Sequence, residues 1–333
     1  MTLVLGRALK ILYSHTMQRI GELAAFGTAV SWTLCAIFFE RGIKHIGVLA
    51  VNFFKVVIAF ILLIAAAALF RGMPLPLDAP RNAWVYLSLS GIVGFVITDS
   101  FLFSAYDTVG PRITMLFTSL SPAMTAGIAW LFLGETIGQR GLLGMALVIA
   151  GILMAVFGRL TGPENFPLEK SPLEKFPLGK SPSEISRISK EDKRGYVFAI
   201  IATLGQSIGI ILTKIGVEGY DAVSGTQIRV FTAIIGFGLV SLFLNGGKNI
   251  TKALKDPAGL KHTSIGAIFG PFLGVTLSLF AVQRVSAGVA STLIGLSPVL
   301  IIVPELLVFR KKIRPLEISG AVVAVAGTTI FFI

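Results

Sequence analysis

Four ionisable residues stand inside long apolar runs of this sequence: Lys55, Asp99, Arg229 and Glu305. If such a run crosses a bilayer, each charge costs about 2.5–3.5 kcal/mol on insertion scales and needs a partner, water or a functional reason to be there. Asp99 lies deepest in its run and is a candidate for lining a solute cavity. Lys55, Arg229 and Glu305 are candidates for charge coupling or gating, and structural pairing or snorkelling towards the membrane surface remains the alternative.

Two Leu-Ser-Pro tripeptides interrupt other apolar runs. Proline removes a backbone donor and clashes with the preceding turn of a helix, so it frees backbone carbonyls inside the membrane. Freed carbonyls and the neighbouring hydroxyls can face a cavity and bind a polar solute, whereas the alternative is a packing kink whose polar groups are satisfied by neighbouring helices. The candidate cavity residues from this pattern are Ser121, Pro122, Ser297 and Pro298.

Further polar and aromatic side chains stand near faces made of small residues. Ser31 belongs to a series of small residues spaced four apart, and the corresponding run of the second half has glycine and threonine at the same spacing. Close helix packing is the favoured interpretation of these faces. Trp32 and Gln206 lie beside them, and Thr118 precedes one Leu-Ser-Pro, so these residues are further candidates to line a cavity.

The elements that must position these residues are ten apolar runs. The chain is 54% hydrophobic and only 14% charged, with a mean hydropathy of +0.84, which the polar surface of a soluble domain would not permit. A bilayer core needs roughly 20 apolar residues for each helical span. The runs cover residues 20–39, 46–70, 84–106, 113–133, 141–157, 195–215, 223–244, 263–282, 287–309 and 316–333.

The two halves of the chain are duplicated. An offset of 176 residues aligns the Leu-Ser-Pro tripeptides and many glycines, and an offset of 174 aligns Lys55 with Arg229 nearer the start of each half. Because each half has five spans, the second half must enter the membrane upside down relative to the first. The sequence therefore predicts an all-α, polytopic membrane protein with ten transmembrane helices in two inverted five-helix repeats.

The segment between the halves differs sharply in composition. Residues 159–194 contain prolines five positions apart and alternating Glu and Lys, which predicts extended or disordered chain. The predicted organisation is a basic lead-in over residues 1–19, a first repeat over 20–158, this linker and a second repeat over 195–333. The lead-in fits either an interfacial amphipathic helix or a weak targeting segment, and Met17 is an alternative start.

The duplicated halves, the Leu-Ser-Pro spans and the phrase from Ser121-Pro122 to Gly134-Glu135 together resemble the EamA-type branch of the drug/metabolite transporter superfamily. The resemblance implies a central cavity between inverted repeats, and export or uptake of amino acids, nucleotide precursors or other small organic solutes. Arg310 stands where a second Gly-Glu would begin, so a symmetrical role for the glutamate is not expected. The expected function is secondary, non-ATP transport of a small metabolite by alternating access.

Other classes of function find less support in the sequence. There is no GxxxxGK[ST] loop, Gly-rich dinucleotide fingerprint, HExxH or GxSxG, so ATP-driven transport and enzymatic activity are not expected. One cysteine and three histidines offer no spaced metal set, and no cofactor is expected. A channel or a structural membrane protein is the alternative, followed by an intramembrane enzyme suggested only by Asp99 and Asp107.

The expected partners are a small-molecule substrate, the lipid bilayer and a coupling proton or ion. The net charge of +12 does not indicate nucleic acid, because Lys and Arg lie in the breaks between apolar runs. We expect a monomer or homodimer in the cell (inner or plasma) membrane. Orientation stays open, because basic residues favour a cytoplasmic linker whereas the family resemblance implies cytoplasmic termini.

Overall fold

The regular elements are helices throughout the part of the chain that the computed structural model describes, which is residues 2–118, 120–160, 190–245, 247–300, 302–303 and 314–332. The first repeat contains α1 (Thr2–Ile46), α2 (Val48–Arg71), α3 (Arg81–Gly91), a π-helical segment (Ile92–Ile97), α4 (Thr98–Thr118), α5 (Ser121–Leu133) and α6 (Gln139–Leu160). The second contains α7 (Lys190–Val217), α8 (Ala222–Asn245), α9 (Lys248–Ala253), α10 (Pro257–Ala267), a second π-helical segment (Ile268–Gly274), α11 (Val275–Val282), α12 (Ala287–Ile294), α13 (Ser297–Leu300) and α14 (Pro315–Phe332).

Several of these helices have the length and composition of membrane spans. Within the described residues, six stretches are long and apolar enough to cross a bilayer, and three shorter apolar helices accompany them. The six stretches are Thr16–Ile46, Val48–Arg71, Arg81–Leu102, Lys193–Val217, Ala222–Leu244 and Pro257–Val282. Large apolar side chains such as Phe70, Phe132 and Phe243 are exposed on the outside, as expected for a surface solvated by lipid. The predicted all-helical membrane fold is confirmed.

The third and fourth predicted spans are joined differently from the prediction. Helical structure continues through residues 98–118, where the sequence suggested a break between 106 and 113. The chain nevertheless reverses direction, because Phe101 contacts Phe198 and Phe117 contacts Tyr196. A straight helix would place Phe101 and Phe117 about 24 Å apart at 1.5 Å per residue, yet both contact neighbouring residues of α7. A tight helical corner therefore replaces the expected loop.

The two repeats pack reciprocally. In the first repeat Gly94 lies against Gly209 of α7, and in the second repeat Gly270 lies against Cys35 of α1. These two contacts correspond under the same 176- and 174-residue offsets, since Gly94 aligns with Gly270 and Cys35 with Gly209. Each repeat thus packs its third span antiparallel to the first span of the other. The first span of one repeat and the first span of the other start on opposite faces, which is the inverted arrangement.

The last spans of the two repeats form a separate contact between α6 and α14. Backbone approaches at Gly151, Gly320 and Gly327 leave no room for a Cβ atom, because it would meet the backbone or Cβ of the opposing helix. Buried Val148, Ile152 and Ala324 belong to the apolar cluster at this contact. The α6–α14 helix pair lies beside helices α1 and α12.

The predicted linker lies largely outside the described residues, as do residues 304–313. The face where α1 begins and α14 ends also carries residues 72–80, 134–138, 218–221 and 283–286, and we call it the terminus face. The opposite face, called the linker face, carries residue 47, residues 254–256 and the end of α6.

Candidate functional site

Two of the charges inside the predicted spans meet in an ion pair. Lys55 Nζ of α2 donates a hydrogen bond to Asp99 Oδ2 of α4 across 2.9 Å. The Lys55 side chain is 8% exposed and that of Asp99 is 17% exposed. Each side chain therefore supplies the counter-charge of the other inside the helix bundle. Two candidates that the sequence singled out separately therefore belong to one site.

Aromatic rings from both repeats surround the ammonium group of Lys55. Its Nζ lies 5.7 Å from the ring centroid of Phe39 on α1 and 5.6 Å from that of Phe237 on α8. Buried Cys35 lies one turn before Phe39 on the same helix. The negative faces of aromatic rings attract a cation. The first repeat supplies the ion pair, and the second closes over it with Phe237.

A π-helical segment ends two residues before Asp99. The segment covers Ile92–Ile97, and its counterpart in the second repeat covers Ile268–Gly274. A π-helical segment widens one turn, leaves carbonyls with altered partners and frequently occurs at functional sites. Here the Thr98 hydroxyl donates to the Val93 carbonyl at 2.7 Å. Neither segment was predicted from the sequence, in which paired glycines and Pro271 were the available signal.

Arg229 occupies the place in the second repeat that Lys55 occupies in the first. It is 8% exposed, and its guanidinium carbon lies 5.2 Å from the ring centroid of Phe95. One of its terminal nitrogens lies beside Gly94, where a Cβ atom would come within 3.3 Å of it. Among the described residues no carboxylate forms an ion pair with Arg229, and its Nε has no hydrogen-bond partner. The charge is buried rather than extended to the membrane surface.

The two Leu-Ser-Pro bends contact the first span of the opposite repeat. The Ser121 hydroxyl lies 3.2 Å from the hydroxyl of Ser207 on α7, and Ser207 also donates to the Ser121 carbonyl. The Ser297 hydroxyl donates to the Ala29 carbonyl on α1 at 3.2 Å, and Thr33 donates back to the Ser297 carbonyl. Buried Pro122 lies beside Gly295, so the two bends adjoin. Both serines are thus bonded between repeats.

The remaining cavity candidates flank these contacts. Ser31 and Trp32 of α1 lie against Gly274, where a Cβ atom would be 3.6 Å from Ser31 Cβ and 3.5 Å from Trp32 Nε1. Gln206, the counterpart of Trp32, and Thr118 are both half-buried. The side chain of Pro298 and the whole of Glu305 lie outside the described residues.

The duplicated architecture agrees with a known family. A model of the EamA-like transporter family matches residues 19–157 and 193–333, one match for each repeat. The chain belongs to this family. The resemblance predicted from the sequence is confirmed.

Two further comparisons place this EamA-like chain among known proteins. It is 25% identical over 142 residues to a Bacillus subtilis (strain 168) protein described as an uncharacterized transporter, YoaV. That alignment covers 41% of the chain and 47% of the relative, so the match spans about half the length of the curated protein. One crystal structure of another protein shares the fold with a TM-score of 0.65 at 17% identity, covering 93% of this chain and 95% of the other.

In this member of the EamA-like family the Gly134-Glu135 sequence joins the repeats at the terminus face. Gly134 ends α5 in the left-handed conformation (φ 65°), which glycine adopts without steric cost. Glu135 then accepts a hydrogen bond of 2.8 Å from the backbone N–H of Ala287, the first residue of α12, and forms an ion pair with Lys214. Lys214 also donates to the Val285 carbonyl at 2.7 Å. We call this group the glutamate clasp.

A second clasp holds the connection between α2 and α3. Arg71 donates to Asp78 at 2.6 Å, lies 3.7 Å from Asp221 and also bonds Ser224. The hydrogen bond from the Arg71 guanidinium is the main reason that the pKa of the exposed Asp78 lies below its ordinary value. Tyr220 donates to the same aspartate at 3.0 Å. We call this group the arginine clasp.

A cavity of about 470 Å³ opens at the terminus face between the α7–α8 connection and α11. Tyr220, Thr276, Phe280 and Arg284 contribute to its lining. The Arg284 guanidinium stacks on the Phe280 ring at its wall. At the linker face, His45 Nδ1 of the first repeat lies 3.3 Å from Asp256 Oδ2 of the second. Among the described residues, this face has fewer charged contacts between the repeats than the terminus face.

Proposed function

We propose that this chain is a secondary, non-ATP transporter that moves a small metabolite, such as an amino acid or a related solute, by alternating access. Its place of action is the cell membrane. The buried Lys55–Asp99 ion pair carries the proposal, because it lies among helices of both repeats. Ionisable residues inside membrane spans face a bundle interior or a polar pathway and mark routes for solutes and protons.

The arrangement of contacts supports a rocking movement of one repeat against the other. Both clasps join the first repeat to the second at the terminus face, through Glu135 with Lys214 and through Arg71 with Asp221. Such ion pairs can form and break as rigid units rotate. In the proposed cycle they close the terminus face while the solute enters from the linker face, and they separate in the other state.

The Lys55–Asp99 pair is a suitable element for coupling transport to a proton. Protonation of Asp99 removes the counter-charge of a buried lysine, and the loss of one partner from a buried ion pair is strongly destabilising. The pair therefore favours different helix positions before and after protonation. We propose Asp99 as the coupling acid, with Lys55 as its electrostatic partner.

The bends at Ser121 and Ser297 and the side chains of Ser31, Trp32 and Gln206 are proposed to border the solute pathway. Each bend joins the fourth span of one repeat to the first span of the other. A solute that enters between the repeats would exchange hydrogen bonds with these serines. Thr118 and Pro122 lie at the same bend of the first repeat, and Pro298 at that of the second. Glu305 and Arg229 remain proposed charge-coupling or gating residues.

Uptake into proteoliposomes tests the proposed function. Purified protein is reconstituted, and radiolabelled amino acids and small organic acids are added with and without an imposed proton gradient. Wild-type vesicles are expected to accumulate at least one solute above empty vesicles, and vesicles with Asp99→Asn are expected to lose the stimulation by the gradient. If no solute of the panel enters faster than in empty vesicles, the proposed function is wrong.

A further inference from the structure

Arg229 is a buried cation for which the protein supplies no counter-charge among its described residues. It is 8% exposed, and its Nε has no hydrogen-bond partner. Its charge persists, because a guanidinium cannot be deprotonated in a protein. The Phe95 ring at 5.2 Å stabilises a cation only in part. Among the described residues, the guanidinium therefore lacks an anionic partner.

The repeats show what that missing group is. Lys55 and Arg229 correspond under the 174-residue offset, and the partner of Lys55 is Asp99. The residue that corresponds to Asp99 under the 176-residue offset is Val275, which is 2% exposed in an apolar cluster. The first repeat therefore contains a complete ion pair. The second repeat contains the cation and an aliphatic side chain in place of the carboxylate.

The Arg229 guanidinium lies against the third span of the first repeat, at Gly94 and Phe95. Gly94 lies beside one terminal nitrogen, and any side chain there would come within 3.3 Å of it. The guanidinium points towards the third span of the first repeat, next to the π-helical segment that precedes Asp99. It therefore lies between the repeats and not on the lipid-facing surface.

We propose that Arg229 binds the carboxylate group of the transported solute. This inference rests on the proposed transport function and adds the chemical class of its substrate. Arginine binds a carboxylate through two parallel N–H···O bonds, which matches the planar form of the group. In the second repeat, the carboxylate of the solute would be to Arg229 what Asp99 is to Lys55 in the first repeat.

Three variants test separately the charge of residue 229, the planar geometry of its guanidinium and the effect of an internal carboxylate. Arg229→Gln removes the charge, Arg229→Lys keeps the charge without the planar fork, and Val275→Asp places a carboxylate at the position that corresponds to Asp99. The control is Arg81→Gln, an exposed arginine at the start of α3. Each protein is tested with the twenty L-amino acids and, as matched probes, with their carboxamides, in thermal unfolding and in proteoliposome uptake.

The expected result is a preference of the wild type for an amino acid over its carboxamide. Arg229→Gln should weaken binding of the acid by about tenfold or more, which is what the loss of a charge-assisted hydrogen bond implies, and should bind the two probes equally. Arg229→Lys should retain part of the preference. Val275→Asp should raise the unfolding temperature in the absence of ligand. It should also abolish the rise in unfolding temperature produced by the acid, because the introduced carboxylate pairs with the Arg229 guanidinium.

Several outcomes would overturn the proposal. One is an unchanged preference for the acid over the carboxamide in Arg229→Gln. Another is unchanged binding of the acid in Val275→Asp. Because Val275→Asp retains Arg229, it tests the proposal even if Arg229→Gln does not fold. Another is a stabilising shift caused by phosphatidylglycerol and lost in Arg229→Gln, which would assign the site to a lipid headgroup. If the wild type transports neither these probes nor any small organic acid of the wider panel, the proposed function itself fails, whereas equal transport of acid and carboxamide overturns only this inference.

Discussion

Lys55 donates a hydrogen bond to Asp99 at the point where helices of the two repeats meet. Its counterpart in the second repeat, Arg229, is equally buried but has a valine where the acid would be. Of these two corresponding cations, Lys55 has a counter-charge and Arg229 has none among the described residues. This asymmetry distinguishes the two halves more clearly than their shared helix packing does.

The first prediction concerns the energy of the Lys55–Asp99 pair. Asp99→Asn leaves a buried lysine without a counter-charge and should reduce the free energy of unfolding by about 3–5 kcal/mol, and Lys55→Met should have a similar effect. The double variant Lys55→Met with Asp99→Leu should be less destabilised than either single variant, because no unpaired charge remains. Unfolding in detergent, followed by tryptophan fluorescence, measures all three. Additive losses in the double variant would show that the two residues do not interact.

The second prediction concerns the close approach of the first π-helical segment to α7. A Cβ atom at Gly209 would lie 2.9 Å from the Cα of Gly94, so Gly209→Ala should separate the helices and cost about 1–3 kcal/mol. The matched control is Gly127→Ala, because a Cβ at Gly127 meets nothing within 4 Å. Unfolding temperatures of the two variants, measured side by side, check the prediction. Equal stability of both variants would contradict the observed packing.

The third prediction concerns the glutamate clasp. Glu135→Gln removes the ion pair with Lys214 and weakens the bond to the Ala287 backbone, so the terminus face should open more often. A loss of about 1.4 kcal/mol from the closed state would raise the open population tenfold. The reporter is a cysteine at Ala126, about 10.5 Å from the end of α5 at Leu133 at 1.5 Å per residue, in a chain with Cys35 replaced by serine. Its rate of modification from the terminus face should rise in Glu135→Gln, and an unchanged rate would argue against the clasp as a gate.

The fourth prediction is a pH dependence of the arginine clasp. The pKa of Asp78 lies below its ordinary value, chiefly because Arg71 donates a hydrogen bond to the carboxylate. The contribution of this bond to stability is therefore fully present above the ordinary aspartate pKa and is lost as the pH falls through the lowered value. Asp78→Asn should unfold at a lower temperature than the wild type at pH 7, and the difference should disappear in strong acid. A difference that is the same at all pH values would exclude the carboxylate as its source.

The sequence predicted the all-helical membrane fold, the duplication and the family, because apolar runs and repeated Leu-Ser-Pro tripeptides are one-dimensional signals. It did not predict that Lys55 pairs with Asp99. That pairing depends on how two almost wholly apolar helices rotate about their axes, and no amphipathic pattern fixes the rotation when lipid surrounds the protein. The same reason explains why the hydrogen bonds from Ser121 to Ser207 and from Ser297 to Ala29 were not foreseen.

The π-helical segments escaped prediction for a different reason. An extra residue in one turn of a helix has no periodic signature of its own, and Gly94 and Pro271 allow many local distortions. The clasps were missed because Glu135, Lys214 and Ala287 lie far apart in the chain. Only the packing of α5, α7 and α12 brings them together.

Alternating access to the Lys55–Asp99 site is the central claim, and cysteine labelling tests it most directly. Phe39→Cys, in a chain with Cys35 replaced by serine, places a thiol beside Lys55, and an impermeant thiol reagent is applied to sealed vesicles of either orientation. We predict modification from both faces, and from the linker face alone once cysteines at Glu135 and Lys214 are cross-linked. Modification from one face only, or from both faces despite the cross-link, would contradict the account.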